Sequence, residues 1–385
     1  MSRCPSPSHA TVDLSAIVHN LGLVRERAGH RDVLFAVKAD AYGHGAVAVA
    51  REVQATGAAD WLAVATVAEG QELVEAGVTL PILKLSPADP WDLDAAVTAG
   101  LRLTVLDGPT VDQAEDAAAR CGGRARVHIG VDSGMGRIGL PPEQLGEVVA
   151  AVDRSAHLEL EGVFTHLPIS DVPVGREFTI AQIDRFLGAV ADVQADRGPI
   201  PQVHMANSGA ILGHDLSGTT MVRAGIVGYG YDPDPAGPNS QQLDLRPALS
   251  WTSHISFLKT VEAGTTIGYG RTWTASRRSL IATVPVGYAD GYPRLLSNRG
   301  QVLIRGHRHP VAGRVCMDQI MVDLGPAPDD GACEFSVDDE VVLIGSQGDQ
   351  TITADDLAES TGTISYEITC DISKRVDRRW AGSSL

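Results

Sequence analysis

From about residue 33 to residue 230, short apolar, β-branched runs alternate with Ala-, Glu- and Leu-rich stretches whose apolar residues recur at helical spacing. That alternation predicts repeated βα units. The candidate strands are 33–37, 61–65, 81–85, 102–106, 126–131, 159–165, 201–205 and 221–225. Eight parallel-type strands, each followed by a helical stretch or a closing turn, is the count that closes a (β/α)8 barrel; a doubly wound sheet uses the same units, and the barrel is the preferred reading. A stretch rich in Pro, Gly and Asn at 232–240 reads as a linker. After it the pattern changes to strands, at 248–260, 280–286, 301–304, 311–315, 319–323 and 340–344, with helical periodicity only at 354–359 and near Ile364. The expected organisation is an N-terminal barrel over 12–240 and a C-terminal mainly β domain over 241–385, joined by residues 1–11.

Composition narrows the class. A chain of 385 residues exceeds the size at which one core stops growing, which agrees with two domains. No apolar run approaches the roughly 18 residues of a membrane helix, and MSRCPSPSHA at the start has no apolar stretch, so a cytoplasmic protein without a membrane partner is expected. The net charge of -17 argues against nucleic acid. The five cysteines are scattered without a C-x-x-C pair, which gives neither a disulfide framework nor a metal site.

The most informative residue is Lys38. It ends the apolar run Val33-Leu-Phe-Ala-Val, at the C-terminal mouth of strand one, where barrel active sites are built. A lysine reached through an apolar strand is partly desolvated, which lowers its pKa and suits its amine to Schiff-base chemistry; the plainer reading is a snorkelling surface lysine. The loops after strands seven and eight, where barrels often bind phosphate, supply Asn207-Ser208-Gly209 and Arg223-Ala224-Gly225-Ile226: a hydroxyl, and amides that glycine allows close to an anion. His166 and His204 read equally well as core histidines.

The flanking strings decide among these readings. AVKADAYGHG at 36–45 resembles the cofactor-lysine signature of the alanine racemase family. HIGVDSGMGRIG (128–139), GVFTHL (162–167), HMANSGA (204–210), VRAGIVGYG (222–230), GYGRTW (268–273), PVGYADGYPR (285–294), GRVCMDQ (313–319) and ISYEI (364–368) follow in family order and span nearly the whole chain. The resemblance implies a fold-type III pyridoxal 5'-phosphate enzyme: a TIM barrel, a β domain, and a homodimer with shared active sites acting on a small amino acid. It implies that Lys38 holds the cofactor, that Tyr42, Ser208, Gly225, Ile226 and Tyr366 hold its phosphate, and that His166 packs beside its ring. Arg223 would face the pyridine nitrogen. Lys38 and Tyr269 would be the two proton-exchanging groups, with Tyr269 entering from the other subunit. Arg137 and Met317 would receive the substrate carboxylate, and Tyr288 and Asp318 would stand near the entrance with His204 in support. One position departs from the family pattern: where many members carry a carbamylated lysine that braces the arginine, this chain has Gly130.

Three alternatives stand beside this reading. Serine or broad-specificity racemisation is possible on the same frame. A non-catalytic pyridoxal-phosphate carrier shares the barrel but lacks the β domain and therefore Tyr269. Gly134-Met-Gly-Arg-Ile-Gly satisfies G-x-G-x-x-G, the formal mark of a nicotinamide dehydrogenase, whose ribose-binding acid would have to be Glu159 or Glu161 inside an apolar strand.

Overall fold

The computed structural model describes residues 6–234, 243–328 and 333–382, so most of the stretch read as a linker lies outside the described residues. The chain divides into two compact units. One comprises Leu14–Ala41 and Gly45–Pro247; the other comprises the N-terminal residues through Asp13, the tripeptide Tyr42–His44, and Ala248–Gly382.

In chain order the strands are β1 (His9–Asp13), β2 (Asp32–Ala36), β3 (Trp61–Val64), β4 (Ile82–Lys84), β5 (Leu103–Val105), β6 (Ala125–Gly130), β7 (Leu158–Phe164), β8 (Gln202–His204) and β9 (Met221–Ala224). Strands β2 to β9 form one parallel sheet in the order β4-β3-β2-β9-β8-β7-β6-β5. Its two ends meet: the Lys84 N–H donates to the Arg102 carbonyl at 3.0 Å and the Arg102 N–H to that of Ile82 at 2.9 Å. The barrel expected from the strand count is therefore what this unit forms. Its strands are short, almost wholly buried apolar runs, as a parallel sheet covered by helices requires. Leu34, Trp61, Ala63, Leu83 and Met221, from the four neighbouring strands β2, β3, β4 and β9, make one buried cluster. Helices begin where the sequence supplies caps. Thr66 and Glu69 close a capping box at the start of Val67–Glu75, and Asp107 with Thr110 does the same for Gly108–Arg120.

The turn after β2 is unusual. Ala39, Asp40, Ala41 and Tyr42 all have φ between 51° and 54°, a left-handed turn without a glycine. Each such residue costs on the order of 1 kcal/mol. Hydrogen bonds oppose that cost: the Ala41 N–H donates to the Val37 carbonyl (2.8 Å), the Ala39 N–H to Glu69 Oε1 (2.7 Å) and the Ala46 N–H to Asp40 Oδ1 (2.7 Å).

The second unit continues with β10 (Leu249–His254), β11 (Phe257–Val261), β12 (Thr266–Ile267), β13 (Trp273–Thr274), β14 (Ser279–Val284), β15 (Gln301–Ile304), β16 (His307–Pro310), β17 (Ile320–Pro326), β18 (Glu340–Gln347), β19 (Gln350–Ile352) and β20 (Asp377–Ala381). Among the described residues its main sheet runs β16-β15-β18-β10-β1-β20, with β19 on β18, beside a β11-β14-β17 sheet and a β12-β13 pair. The run 248–260 is two strands, because the chain leaves the sheet at Ile255 and Ser256, whose N–H groups donate to Asp339 and Thr283. The strand expected at 311–315 reduces to a single bridge from Val311 to Val322, with the regular pairing at β16 instead. No described helix is long and apolar enough to cross a membrane.

Candidate active site

Within the barrel unit, the charged candidates converge at the C-terminal mouth. Arg223, in β9, is only 7% exposed. Its NH2 donates to the carbonyls of Thr165 (2.8 Å) and Met205 (3.1 Å) and lies 3.2 Å from His166 Nδ1, while its NH1 lies 3.3 Å from His204 Nδ1. A guanidinium only donates, so both imidazole Nδ1 atoms accept and each neutral ring carries its proton on Nε2. Burial, then the charges of Arg223, Arg137 and Lys38, push His166 down to about 3. It is neutral throughout the physiological range. Burial followed by Arg137 also weakens the proton affinity of Arg223, which nevertheless stays charged as guanidinium does.

Ser208 begins the short helix Ser208–Gly213 under the cap of Asn207, whose Oδ1 accepts from the Ala210 N–H. The buried Ser208 hydroxyl accepts from the N–H groups of Gly225 (3.1 Å) and Val227 (3.4 Å), so the two loops read from sequence as a phosphate cradle do meet. Gly228 packs so closely that a Cβ there would lie 2.5 Å from the Phe35 ring.

Arg137 is exposed on a loop closed by the bridge between Val131 and Leu140. The Asp132 carboxylate holds that loop by accepting from the N–H groups of Gly134 (2.9 Å) and Gly136 (2.9 Å). A Cβ on Gly130 would sit 2.8 Å from Leu106 Cδ2 and 3.3 Å from Phe164 Cζ, so apolar atoms fill the space a larger side chain would need. The segment Gly134 to Gly139 opens no helix; the next helical residues are the 3-10 turn Pro142–Gln144, which leads into helix Leu145–Arg154, and three of the segment's glycines, Gly134, Gly136 and Gly139, have positive φ. A dinucleotide-binding turn requires a helix at that point, which removes the dehydrogenase reading.

In the second unit, Tyr269 is 71% exposed, in the single turn Tyr269–Arg271 after Gly268 at φ 75°. A Cβ on Gly270 would lie 3.2 Å from the Arg314 guanidinium carbon, which puts a cation beside this turn. Met317 and Tyr288 are exposed on two segments knit together by the Tyr288 and Ala289 N–H groups, which donate to the carbonyls of Cys316 and Met317. Asp318 accepts from Arg375 NH2 at 2.8 Å. Tyr366, on helix Ser365–Asp371, meets the ring of Tyr42 with centroids 5.9 Å apart, and burial followed by Cys370 raises the Tyr42 phenol above its ordinary range. Among the described residues no cluster could hold a metal ion.

Sequence reasoning missed the groups behind Arg223: His128 and Glu161, with the ring of Phe164 stacked on His204. Their signal was a histidine and a glutamate inside otherwise apolar strands.

Comparison with known proteins agrees with the two-unit architecture. Residues 12–233 match the family model for the N-terminal domain of alanine racemase and residues 248–380 that for its C-terminal domain. An alanine racemase of Cutibacterium acnes is 68% identical over 382 residues, covering 99% of this chain and all of the relative, and one of Symbiobacterium thermophilum is 46% identical with 98% of each covered. The solved alanine racemase of Clostridium difficile 630 superposes with a TM-score of 0.89 at 36% identity, covering 99% of this chain and 98% of the other. That of Bacillus anthracis with bound L-Ala-P gives 0.88 at 36%, covering 99% and 97%. The class is thus an isomerase that pairs a parallel barrel with a β domain. This chain belongs to the alanine racemase family.

Proposed function

We propose that the chain interconverts L-alanine and D-alanine as a homodimer that uses pyridoxal 5'-phosphate. The observation that carries this reading is the barrel mouth itself: a strand-end lysine, a buried arginine whose charge faces two neutral imidazoles, and a serine cradle, in a chain that matches the family from end to end. The donor set suits the cofactor. A dianionic phosphate would suit the Ser208 hydroxyl and the amides around Gly225 and Ile226, to which the family resemblance adds Tyr42 and Tyr366, and an aldehyde would suit a lysine amine. When bound, the group supplies a conjugated ring that takes up the electron pair left when Cα loses its proton.

The chain's residues do the rest. Inverting Cα requires removing a proton from one face and delivering one to the other, so two acid/base groups must flank the substrate. Lys38 serves one face and Tyr269, contributed by the partner subunit, the other. His166 offers Tyr269 its Nε2–H, because Arg223 occupies its Nδ1. Arg137 and the partner subunit's Met317 would orient the substrate carboxylate, with Tyr288 and Asp318 assigned by the resemblance to the entrance. Arg223 would present to the cofactor's ring nitrogen a donor that already carries its charge, and would so disfavour a proton there and weaken the ring as an electron acceptor.

The test is a panel of L-amino acids, serine included, incubated with the cofactor-loaded protein and analysed by chiral chromatography. Alanine should be racemised fastest. Absence of D-alanine, or faster conversion of serine, would overturn this assignment.

A further inference from the structure

Behind Arg223 a line of polar side chains runs from the N-terminal end of the barrel strands to the mouth. Glu161 is the extra residue of β7: the pairing with β6 passes from Val127–Leu160 to His128–Gly162, leaving Glu161 without a ladder partner. Such a bulge re-aims a side chain. Here Glu161 Oε2 lies 3.4 Å from His128 Nε2 and 3.2 Å from Arg102 Nε, with Oε1 3.8 Å from Arg126 NH1. His128 Nδ1 is 2.9 Å from His204 Nε2, and both imidazoles are fully buried, the first against Trp61 and the second against Phe164. His204 Nδ1 meets Arg223 NH1. The fit depends on Gly162, where a Cβ would stand 2.4 Å from His128 Nδ1.

The direction of every hydrogen bond in this line follows from its ends. Arg223 can only donate, so His204 Nδ1 accepts and its Nε2 holds the proton. His128 Nδ1 must then accept from His204, and its own Nε2–H donates to Glu161. The carboxylate can only accept, so the two ends agree. We propose that Glu161 and His128 are positioning residues for Arg223: the carboxylate fixes the tautomer of His128, His128 fixes that of His204, and His204 thereby always offers Arg223 an acceptor. Burial lowers both imidazoles against the opposing pull of Glu161 on His128, which keeps the line neutral between its charged ends. The significance for catalysis rests on the role assigned to Arg223 above; the relay itself does not.

Glu161→Gln is the informative change. Arg102 and Arg126, which only donate, will hold the amide oxygen and turn the NH2 toward His128 Nε2. The line then reverses, and His204 presents an N–H to a guanidinium N–H. Histidine-selective 15N labelling of the cofactor-free protein, read by two-bond 1H–15N correlation, reports each tautomer directly. Wild type should show neutral Nε2–H forms for His128 and His204, and Glu161→Gln should convert His128 to the Nδ1–H form. An Nδ1–H or imidazolium His128 in the wild type overturns the relay without recourse to any variant. On the loaded enzyme, Glu161→Gln should lower kcat by about tenfold to a hundredfold, the scale of a misplaced group, with KM for alanine little changed and more pyruvate formed per turnover by half-transamination, in which alanine's amino group passes to the cofactor's aldehyde carbon and water supplies the keto oxygen; Glu161→Asp, which can only accept, should recover part of kcat. Converted tautomers with unchanged kcat and pyruvate yield would leave the relay standing and overturn its link to Arg223.

Discussion

Replacing Ser208 with alanine tests the phosphate cradle with the least disturbance. The hydroxyl is buried and accepts from the Gly225 N–H at 3.1 Å and, at the edge of useful geometry, from the Val227 N–H at 3.4 Å, which leaves its own proton to donate. Removing it strands one well-bonded buried amide, at roughly 1–3 kcal/mol, and weakens the folded barrel by about that much. In the proposed complex the cofactor loses a hydrogen bond to a charged phosphate, worth roughly 1.5–3 kcal/mol, so its Kd should rise by about 10- to 150-fold. Titrating cofactor-free wild type and Ser208→Ala with pyridoxal phosphate, followed by absorbance, measures the change, and a urea melt of the cofactor-free proteins measures the stability term separately. If the variant binds within about twofold of wild type, a factor far below the hydrogen-bond estimate, Ser208 does not hold the phosphate.

Other consequences follow from particular residues. His166, held down to about 3, stays neutral in the folded barrel while the unfolded chain protonates near 6.5, so unfolding takes up a proton between those values and stability falls as pH drops through that window, by about 1.4 kcal/mol per pH unit for this one group. His166→Gln should flatten the acid limb of urea midpoint against pH; an equally steep limb would show that His166 protonates in the folded state. Ala39 is exposed at φ 51°, so Ala39→Gly should stabilise the protein by roughly 0.5–1 kcal/mol in a urea melt, and a lower midpoint would refute strain in that turn. Gly130→Ala should cost roughly 1–3 kcal/mol because Leu106 must move, and adding Leu106→Ala should fail to add its full separate penalty; strictly additive losses would contradict the contact.

How much of this was readable beforehand depended on whether a residue's role is local. The barrel strands were legible because each is a buried apolar run, and Lys38 and Arg223 because each is a cation closing or interrupting such a run. Strands β1 and β20 were not, since HATVD and DRRWA are short and polar and become strands only by pairing with each other and with β10 across the length of the chain. The left-handed turn after Lys38 gave no signal either, as it contains no glycine and is held by the distant Glu69. Tyr269, Met317 and Asp318 were reachable only through the family strings: they are exposed residues on irregular turns, which no periodicity marks. Glu161 reads from the sequence only as a candidate ribose-binding acid, because the bulge that turns it toward His128 depends on the register of two strands and is invisible in either one.

The central claim is that two different side chains serve the two faces of the substrate. Exchange of the alanine α-proton with deuterium oxide, followed by proton NMR from each pure enantiomer, tests it most directly in Tyr269→Phe protein that retains its cofactor. The account predicts that exchange from one enantiomer collapses, by about two to four orders of magnitude for loss of an acid/base group, while exchange from the other through Lys38 persists. Undiminished exchange from both enantiomers would contradict it.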